Sequence, residues 1–113
     1  MWERRPHDIS ASVGNNVTLT CKVRGEPGYV TWNKNGNTIA VGTSIIPNDN
    51  RISIPDDTKY NLVITDLKQS DDSNYTCTVQ NLLDTQKSVT VHLTVLCKYL
   101  IQNCKIFLLK SRN

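Results

Sequence analysis

The chain has 113 residues, enough for one domain with a single core. Residues 1–96 hold nine basic and ten acidic side chains, so the formal charge of +3 comes from the basic last 17 residues. A near-neutral body disfavours a nucleic-acid binder. No run approaches the roughly 20 apolar residues of a membrane-spanning helix, and residues 1–7 lack the apolar core of a signal peptide. We expect a soluble chain, with membrane association only through regions absent from it.

Short runs that alternate apolar and polar residues fill the chain between Val17 and Val95, with turn residues at intervals of roughly 8 to 12 positions. This pattern predicts an all-β domain without a helix of useful length before Leu96. The predicted strands cover residues 16–23, 29–33, 38–41, 51–54, 60–64, 73–80 and 87–95.

The alternation also predicts which side chains point inward. Cys21 and Cys77 both point inward, on separate strands. An oxidised pair between them would therefore join two sheets through the core. Trp32 lies on the inward face of the strand that follows Cys21. The dipeptide Asn35-Gly36 predicts a tight hairpin after that strand.

A set of spaced residues resembles the variable-type immunoglobulin domain over residues 8–96. The set comprises Cys21, Trp32, Arg51, Leu62-x-Ile64-x-x-Leu67 and Asp71-x-x-x-Tyr75-x-Cys77. Within that superfamily, residues 75–80 and 87–95 resemble the first domain of IgLON and lachesin-like neural adhesion proteins. Two departures are Asn74, where many such domains carry Gly or Ala, and the missing joining motif of antigen receptors.

The resemblance implies an immunoglobulin-like β-sandwich of Greek-key topology, with two antiparallel sheets joined by a Cys21–Cys77 disulfide. Closing so long a loop stabilises a domain by about 4 kcal/mol in the chain-entropy model. Trp32 is expected to pack against the disulfide, and the Tyr75 hydroxyl to turn back onto the backbone before its strand. Asp71 is expected to face Arg51 across the end of the sandwich, while Leu62 and Leu67 complete the core signature.

Catalysis and metal binding find little support in the sequence. Neither His7 nor His92 has a Ser or Cys that the strand pattern would bring near it, so we predict no enzyme, cofactor or small-molecule substrate. Cys97 and Cys104 lack a second ligand pair at zinc-site spacing.

The tail 97–113 is expected to be disordered, or to form a marginal amphipathic helix, and residues 1–7 to be a leader outside the domain. Cys97 and Cys104 are interpreted first as free thiols. They could also form links between chains, or pair with each other if a turn brings their α-carbons within about 7 Å.

Two triplets match the acceptor motif for N-linked sugar, namely Asn16-Val17-Thr18 and Asn74-Tyr75-Thr76. A secretory route, which the inferred disulfide favours, would expose both asparagines to glycosylation.

The resemblance implies that a partner binds the sheet carrying strands C, C′, F and G, or loops at one end. Ile45 and Ile46 either form part of an exposed aliphatic cluster or plug the edge of the core. Leu82 and Leu83 either form a contact at a loop tip or fold back on Tyr29. The partner-binding candidates are Thr31, Asn33, Val41, Ile45, Ile46, Thr78, Gln80, Leu82 and Leu83.

We expect an extracellular recognition module, at the cell surface or secreted, that mediates adhesion by pairing with another immunoglobulin-superfamily domain or with itself. The alternatives are a soluble secreted immune or decoy receptor and a structural spacer domain.

Overall fold

Alternating side chains produce two β-sheets that pack face to face. The computed structural model describes residues 2–4, 8–23, 27–55, 60–81, 86–97 and 105–106. The strands are β1 (Trp2–Arg4), β2 (Ile9–Ser12), β3 (Val17–Leu19), β4 (Lys22–Val23), β5 (Pro27–Lys34), β6 (Asn37–Val41), β7 (Ser44–Ile45), β8 (Ile52–Ser53), β9 (Leu62–Ile64), β10 (Ser73–Asn81), β11 (Gln86–Cys97) and β12 (Lys105–Ile106).

The larger sheet has the order β12-β11-β10-β5-β6-β7, with β2 also paired to β11. The smaller sheet has the order β3-β9-β8, and a two-stranded ladder joins β1 to β4. The chain passes from the smaller sheet to the larger at β5, returns at β8 and crosses again at β10. This connectivity is that of a Greek-key sandwich, which confirms the predicted fold class.

The core lies between the two sheets and is built from the inward positions of the strands. Val30 and Trp32 of β5, Tyr75 and Val79 of β10, and Leu93 of β11 are all buried. Their neighbours along each strand point outward, because successive side chains of a strand alternate between its two faces. The smaller sheet contributes the buried side chains of Val17, Leu19, Leu62 and Ile64.

The hairpin predicted at Asn35-Gly36 joins β5 to β6. Both residues have positive φ, 53° for Asn35 and 90° for Gly36. Asparagine and glycine tolerate this left-handed conformation, and it matches the twist of the flanking strands. The turn therefore fixes the register in which Asn33 faces Thr38.

Both ends of the chain differ from the sequence-based expectation. Trp2–Arg4, predicted to lie in a leader, forms β1 and pairs antiparallel with β4. At the other end β11 continues to Cys97, and Lys105–Ile106 pairs with it in parallel as a strand, not a helix. Open strand edges offer unpaired backbone groups, which these short strands satisfy irrespective of side-chain pattern. The remaining residues of the predicted leader and tail lie outside the described ranges.

Cys97 is only 3% exposed and is disulfide-bonded. The interpretation of Cys97 as a free thiol was therefore wrong. Cys97 has the same strand parity as the buried Leu93 and Val95 of β11, so its side chain lies on the inward side of the sheet, away from solvent. Its bonding partner is not among the described residues.

No helix in the described ranges is both long enough and apolar enough to cross a bilayer. The helical content that the structure does describe is a single 3-10 turn, Gln69–Asp71, which precedes β10.

Candidate functional site

The centre of the sandwich is held by the disulfide that the sequence predicted. Cys21 and Cys77 are bonded across a sequence separation of 56, and both are fully buried. Trp32 lies directly opposite Cys77 in the β5–β10 ladder and is fully buried as well. Its indole Nε1 donates to the carbonyl of Tyr60 at 2.7 Å, so its one polar atom is satisfied.

The lower end of the sandwich, where β10 begins, is fixed by three polar side chains. The hydroxyl of Tyr75 donates to the carbonyl of Asp71 at 2.6 Å, four residues upstream. The carboxylate of Asp71 accepts from Arg51 Nη1 at 2.8 Å and Nη2 at 3.1 Å, and from the backbone N–H of Lys68 at 2.8 Å. Arg51 also donates to the carbonyls of Thr65 and Asp66. Leu67, buried beside this turn, and Leu62 on β9 lie in the core.

The ionisation of these groups follows from their surroundings. Burial opposes the charged form of Asp71, but the hydrogen bonds from Arg51 and Lys68 outweigh it and hold its pKa below the usual value. The hydrogen bond to Asp71 raises the pKa of Arg51. Burial raises the pKa of Tyr75, which keeps its hydroxyl protonated and able to donate. This cluster is a structural clamp, because each of its polar groups is bonded to another part of the domain.

Above the pair formed by Asn74 and His92, the outward side chains of β6, β5, β10 and β11 carry no charge, and we call this surface the uncharged face. Two rows of paired residues cross it. One row runs from Val41 through Thr31 and Thr78 to Ser88, and the other from Thr38 through Asn33 and Thr76 to Thr90. A third pair, Tyr29 with Gln80, lies above them. Charged residues of these strands, Lys34 and Lys87, have the opposite parity, so their side chains leave the sheet on its other side.

Hydrogen bonds between neighbouring strands fix the side chains of this face. Thr76 Oγ1 lies 2.9 Å from Thr90 Oγ1, and Thr78 Oγ1 lies 2.9 Å from Ser88 Oγ. Thr38 donates to Asn33 Oδ1 at 2.8 Å. These bonds reduce the rotamer freedom that a partner would otherwise have to remove on binding.

Large apolar side chains border the uncharged face. Tyr29 is 69% exposed, Ile46 is 48% exposed and Val41 is 40% exposed. Ile45, which pairs with Ala40, instead packs against the core. Ile45 therefore plugs the edge of the core, which was one of the two predicted alternatives. Val41 and Ile46 are instead exposed to solvent.

A cavity of about 240 Å³ opens beside β7. Its walls include Ile39, Ile46, Pro47 and Ile52, and Lys34 and Arg51 also line it. The amino group of Lys34 is held by the carbonyl of Ser70 at 2.9 Å. The cavity lining thus combines aliphatic and charged side chains, and the exposed side chain of Ile46 is part of it.

The lower rim of the uncharged face consists of Asp8, Asp72, Asn74 and His92. His92 Nδ1 lies 2.6 Å from Asn74 Oδ1, and its backbone N–H donates to Asp8 Oδ1 at 2.9 Å. Asp72 accepts from the backbone N–H of Val95. None of these contacts of His92 is with a nucleophilic side chain, and the described part of the chain contains no group of three metal-ligating side chains.

The remaining predicted site residues are placed as follows. Thr31, Asn33, Thr78 and Gln80 are half-buried on the uncharged face. Asn16 and Asn74 are exposed, Asn16 at the start of β3. Leu82 and Leu83 lie outside the described residues. Sequence reasoning omitted Tyr29 from the contact candidates, although its position two residues before Thr31 gives it the same outward parity.

A family model for the immunoglobulin I-set domain matches residues 1–95. Among curated proteins, Hemicentin-1 of Homo sapiens is 30% identical over 93 residues, which is 80% of this chain and 2% of that protein. Kin of IRRE-like protein 1 of Homo sapiens is 31% identical over 78 residues, 67% of this chain and 10% of that protein. The chain thus spans a small fraction of the length of these relatives.

Solved structures show the same fold. Duf (Kirre) D1 superposes with a TM-score of 0.76 at 27% identity, covering 88% of this chain and 98% of that chain. Dpr1 IG1, solved bound to DIP-eta IG1, matches with a TM-score of 0.72 at 24% identity, covering 85% of this chain and 94% of that chain. The predicted variable type is corrected to the I-set type, and the second edge strand β7 is accordingly only two residues long. The chain belongs to the immunoglobulin I-set domain family.

Proposed function

We propose that this domain is an extracellular recognition module that pairs, through its uncharged face, with a second immunoglobulin-superfamily domain, and that the second domain can be another copy of itself. The role is adhesive binding, not catalysis. The disulfides favour an oxidising, extracellular location at the cell surface or in secretion. We also propose that, within the superfamily, the domain is related to the first domain of IgLON and lachesin-like adhesion proteins.

The absence of charge among the outward side chains of β5, β10 and β11 is the observation that carries the proposal. Charged residues make up 20% of the chain, yet the rows through Thr31 and Asn33 contain only hydroxyl, amide and aliphatic groups. Two copies of such a face meet without juxtaposing like charges, and no buried ion has to be desolvated. A charged face would oppose self-pairing unless its charges were complementary.

The apolar border supports the same conclusion. Exposed aliphatic and aromatic side chains next to a polar sheet resemble the composition of interface centres, where aromatic residues are enriched and charged ones are depleted. Tyr29 and Ile46 are the two most exposed large apolar residues described in this domain. Domains of this fold are able to pair with each other, as in the complex of Dpr1 IG1 with DIP-eta IG1.

Sedimentation analysis of the purified chain over a range of concentrations tests the proposal. We expect self-association that weakens by about tenfold or more in Ile46→Asp, because a carboxylate would then be buried at the interface. Val13→Asp is the matched control, since Val13 is similarly exposed but lies in the turn after β2, away from the uncharged face. A chain that stays monomeric at high concentration, or equal effects of both substitutions, contradicts homophilic pairing.

A soluble secreted receptor is the second candidate function. It would use the same face for a different partner and would remain a monomer by itself. A monomeric chain whose binding to a cell-surface partner is lost in Ile46→Asp would favour this candidate.

A further inference from the structure

We infer that Asn74 is the acceptor of an N-linked oligosaccharide, and that this sugar covers the lower part of the uncharged face. Pairing is then confined to the part of the face nearer Tyr29 and Val41. The effect on pairing rests on the proposed function, whereas the site of attachment and the area covered do not.

The position of Asn74 meets the chemical requirement for attachment. The triplet Asn74-Tyr75-Thr76 supplies the amide and the hydroxyl two residues later. Tyr75 is buried, so both of its neighbours point outward, and Asn74 is exposed. A sugar on this side chain extends into solvent and displaces no core residue.

The side chain of Asn74 is oriented for this role. Its Oδ1 lies 2.6 Å from His92 Nδ1, and because a carbonyl oxygen can only accept, the imidazole nitrogen is the donor. Among the described residues, this is the only side-chain hydrogen bond of Asn74. The amide nitrogen, Nδ2, is left for the sugar, and a glycosylated amide keeps the Oδ1 acceptor, so the bond to His92 survives modification.

The attachment step transfers an oligosaccharide from a lipid pyrophosphate donor in the secretory lumen. A bond forms between Asn74 Nδ2 and C1 of the first sugar, while the bond between C1 and the pyrophosphate oxygen breaks. Nδ2 loses one proton, and the lipid pyrophosphate leaves with the electron pair.

The geometry of β10 determines what the sugar covers. Residues on one face of a strand are spaced by about 7 Å, which places Asn74 one step from Thr76 and two from Thr78. A branched oligosaccharide exceeds both distances. Asn16 provides the contrast, because it lies at the start of β3 in the smaller sheet, where its Oδ1 accepts from the backbone N–H of Asp66 at 3.0 Å.

The first measurement is peptide mass mapping of the chain secreted from animal cells, with enzymatic sugar release in heavy-oxygen water. We expect the peptide containing Asn74 to carry sugar and to gain the heavy-oxygen aspartate on release. An unmodified Asn74 in the secreted protein overturns the inference.

The second measurement locates the sugar by NMR of the methyl groups before and after an endoglycosidase releases all but the first sugar, which leaves the Asn74 amide intact. We expect the methyl resonances of Thr76 and Thr90 to shift, and that of Thr18, the last residue of the other triplet, to shift only if Asn16 is also modified. Unchanged Thr76 and Thr90 resonances after release from Asn74 show that the sugar does not cover this face.

The third measurement compares self-association of the sugar-bearing chain with that of Asn74→Gln and Asn16→Gln. We expect Asn74→Gln to associate at least about threefold more tightly, and Asn16→Gln to match the unsubstituted protein. Equal association of all three overturns the effect on pairing. Monomeric behaviour of the sugar-free chain contradicts homophilic pairing instead, while the mass and NMR results still decide the inference.

Discussion

Arg51 and Asp71 form a two-point ion pair in which Nη1 and Nη2 of the guanidinium donate to the two carboxylate oxygens at 2.8 Å and 3.1 Å. The Asp71 side chain is 3% exposed and that of Arg51 is 21% exposed. The pair connects the loop before β8 to the turn before β10, and the Tyr75 hydroxyl bonds to the backbone of the same Asp71. It therefore holds together the segments that set the start of β10.

Removing the charge of Asp71 should destabilise the domain strongly. We expect Asp71→Asn to lower the free energy of unfolding by about 3 kcal/mol, because it leaves a partly buried guanidinium without its counter-ion. Chemical denaturation at neutral pH measures the change. Asp49→Asn is the matched control, since Asp49 lies 3.9 Å from Arg51 Nε and is 38% exposed, and it should lose less than about 1 kcal/mol. Equal losses in the two variants would contradict this account.

Acid should weaken the folded protein through the same carboxylate. The pKa of Asp71 is lower in the folded state than in the unfolded chain, so the pair stabilises the fold fully above the unfolded pKa of about 3.9. This contribution is lost as the pH falls through the lower, folded pKa. The stability difference between the unsubstituted protein and Asp71→Asn should therefore shrink below about pH 4. A difference that stays constant down to low pH would show that the charge of Asp71 is not responsible.

Tyr75→Phe isolates the hydrogen bond from the packing of the ring. We expect a loss of about 1 kcal/mol at neutral pH, because the buried carbonyl of Asp71 loses its 2.6 Å donor. The folded pKa of Tyr75 is raised, so the stabilising effect of the neutral phenol persists below the unfolded value of about 10 and declines as the pH rises further. Denaturation above about pH 10 should thus show the two proteins converging. Parallel curves across this range would be the contrary result.

Loss of the central disulfide should reduce stability by about 4 kcal/mol, the value expected for closing a loop of this length. The substitution is Cys21→Ala with Cys77→Ala, and denaturant titration without reductant gives the change. In a Trp2→Phe background the fluorescence comes from Trp32, which lies opposite Cys77, and it reports whether the residual protein keeps its core. An unchanged denaturation midpoint would mean that the disulfide does not stabilise the domain by restricting the conformations of the unfolded chain.

Pairing through the uncharged face should depend little on salt. Ionic strength screens charges and not hydroxyl or aliphatic contacts, so the dissociation constant should change by less than about twofold between roughly 0.05 M and 0.5 M sodium chloride. Sedimentation at several salt concentrations provides the measurement. A steep loss of affinity with salt would assign the contact to a charged surface elsewhere on the domain.

The direction of each side chain was determined by the sequence, because it depends only on the local alternation of a strand. This placed Cys21, Cys77 and Trp32 in the core, and Thr31 and Thr78 on the opposite side. The hairpin at Asn35-Gly36 was equally local, since it needs only two residues that tolerate positive φ.

Only the tertiary structure decided how these elements meet. The sequence did not distinguish Ile45 from Ile46. In the structure Ile45 pairs with Ala40 and packs against the core, whereas Ile46 is half exposed, because β7 ends between them. No alternating pattern in the sequence predicts that Trp2–Arg4 pairs with β4 or that Lys105–Ile106 pairs with β11. Backbone groups alone make those bonds. The uncharged face itself exists only because β5, distant along the chain from β10 and β11, lies beside β10 in a fixed register.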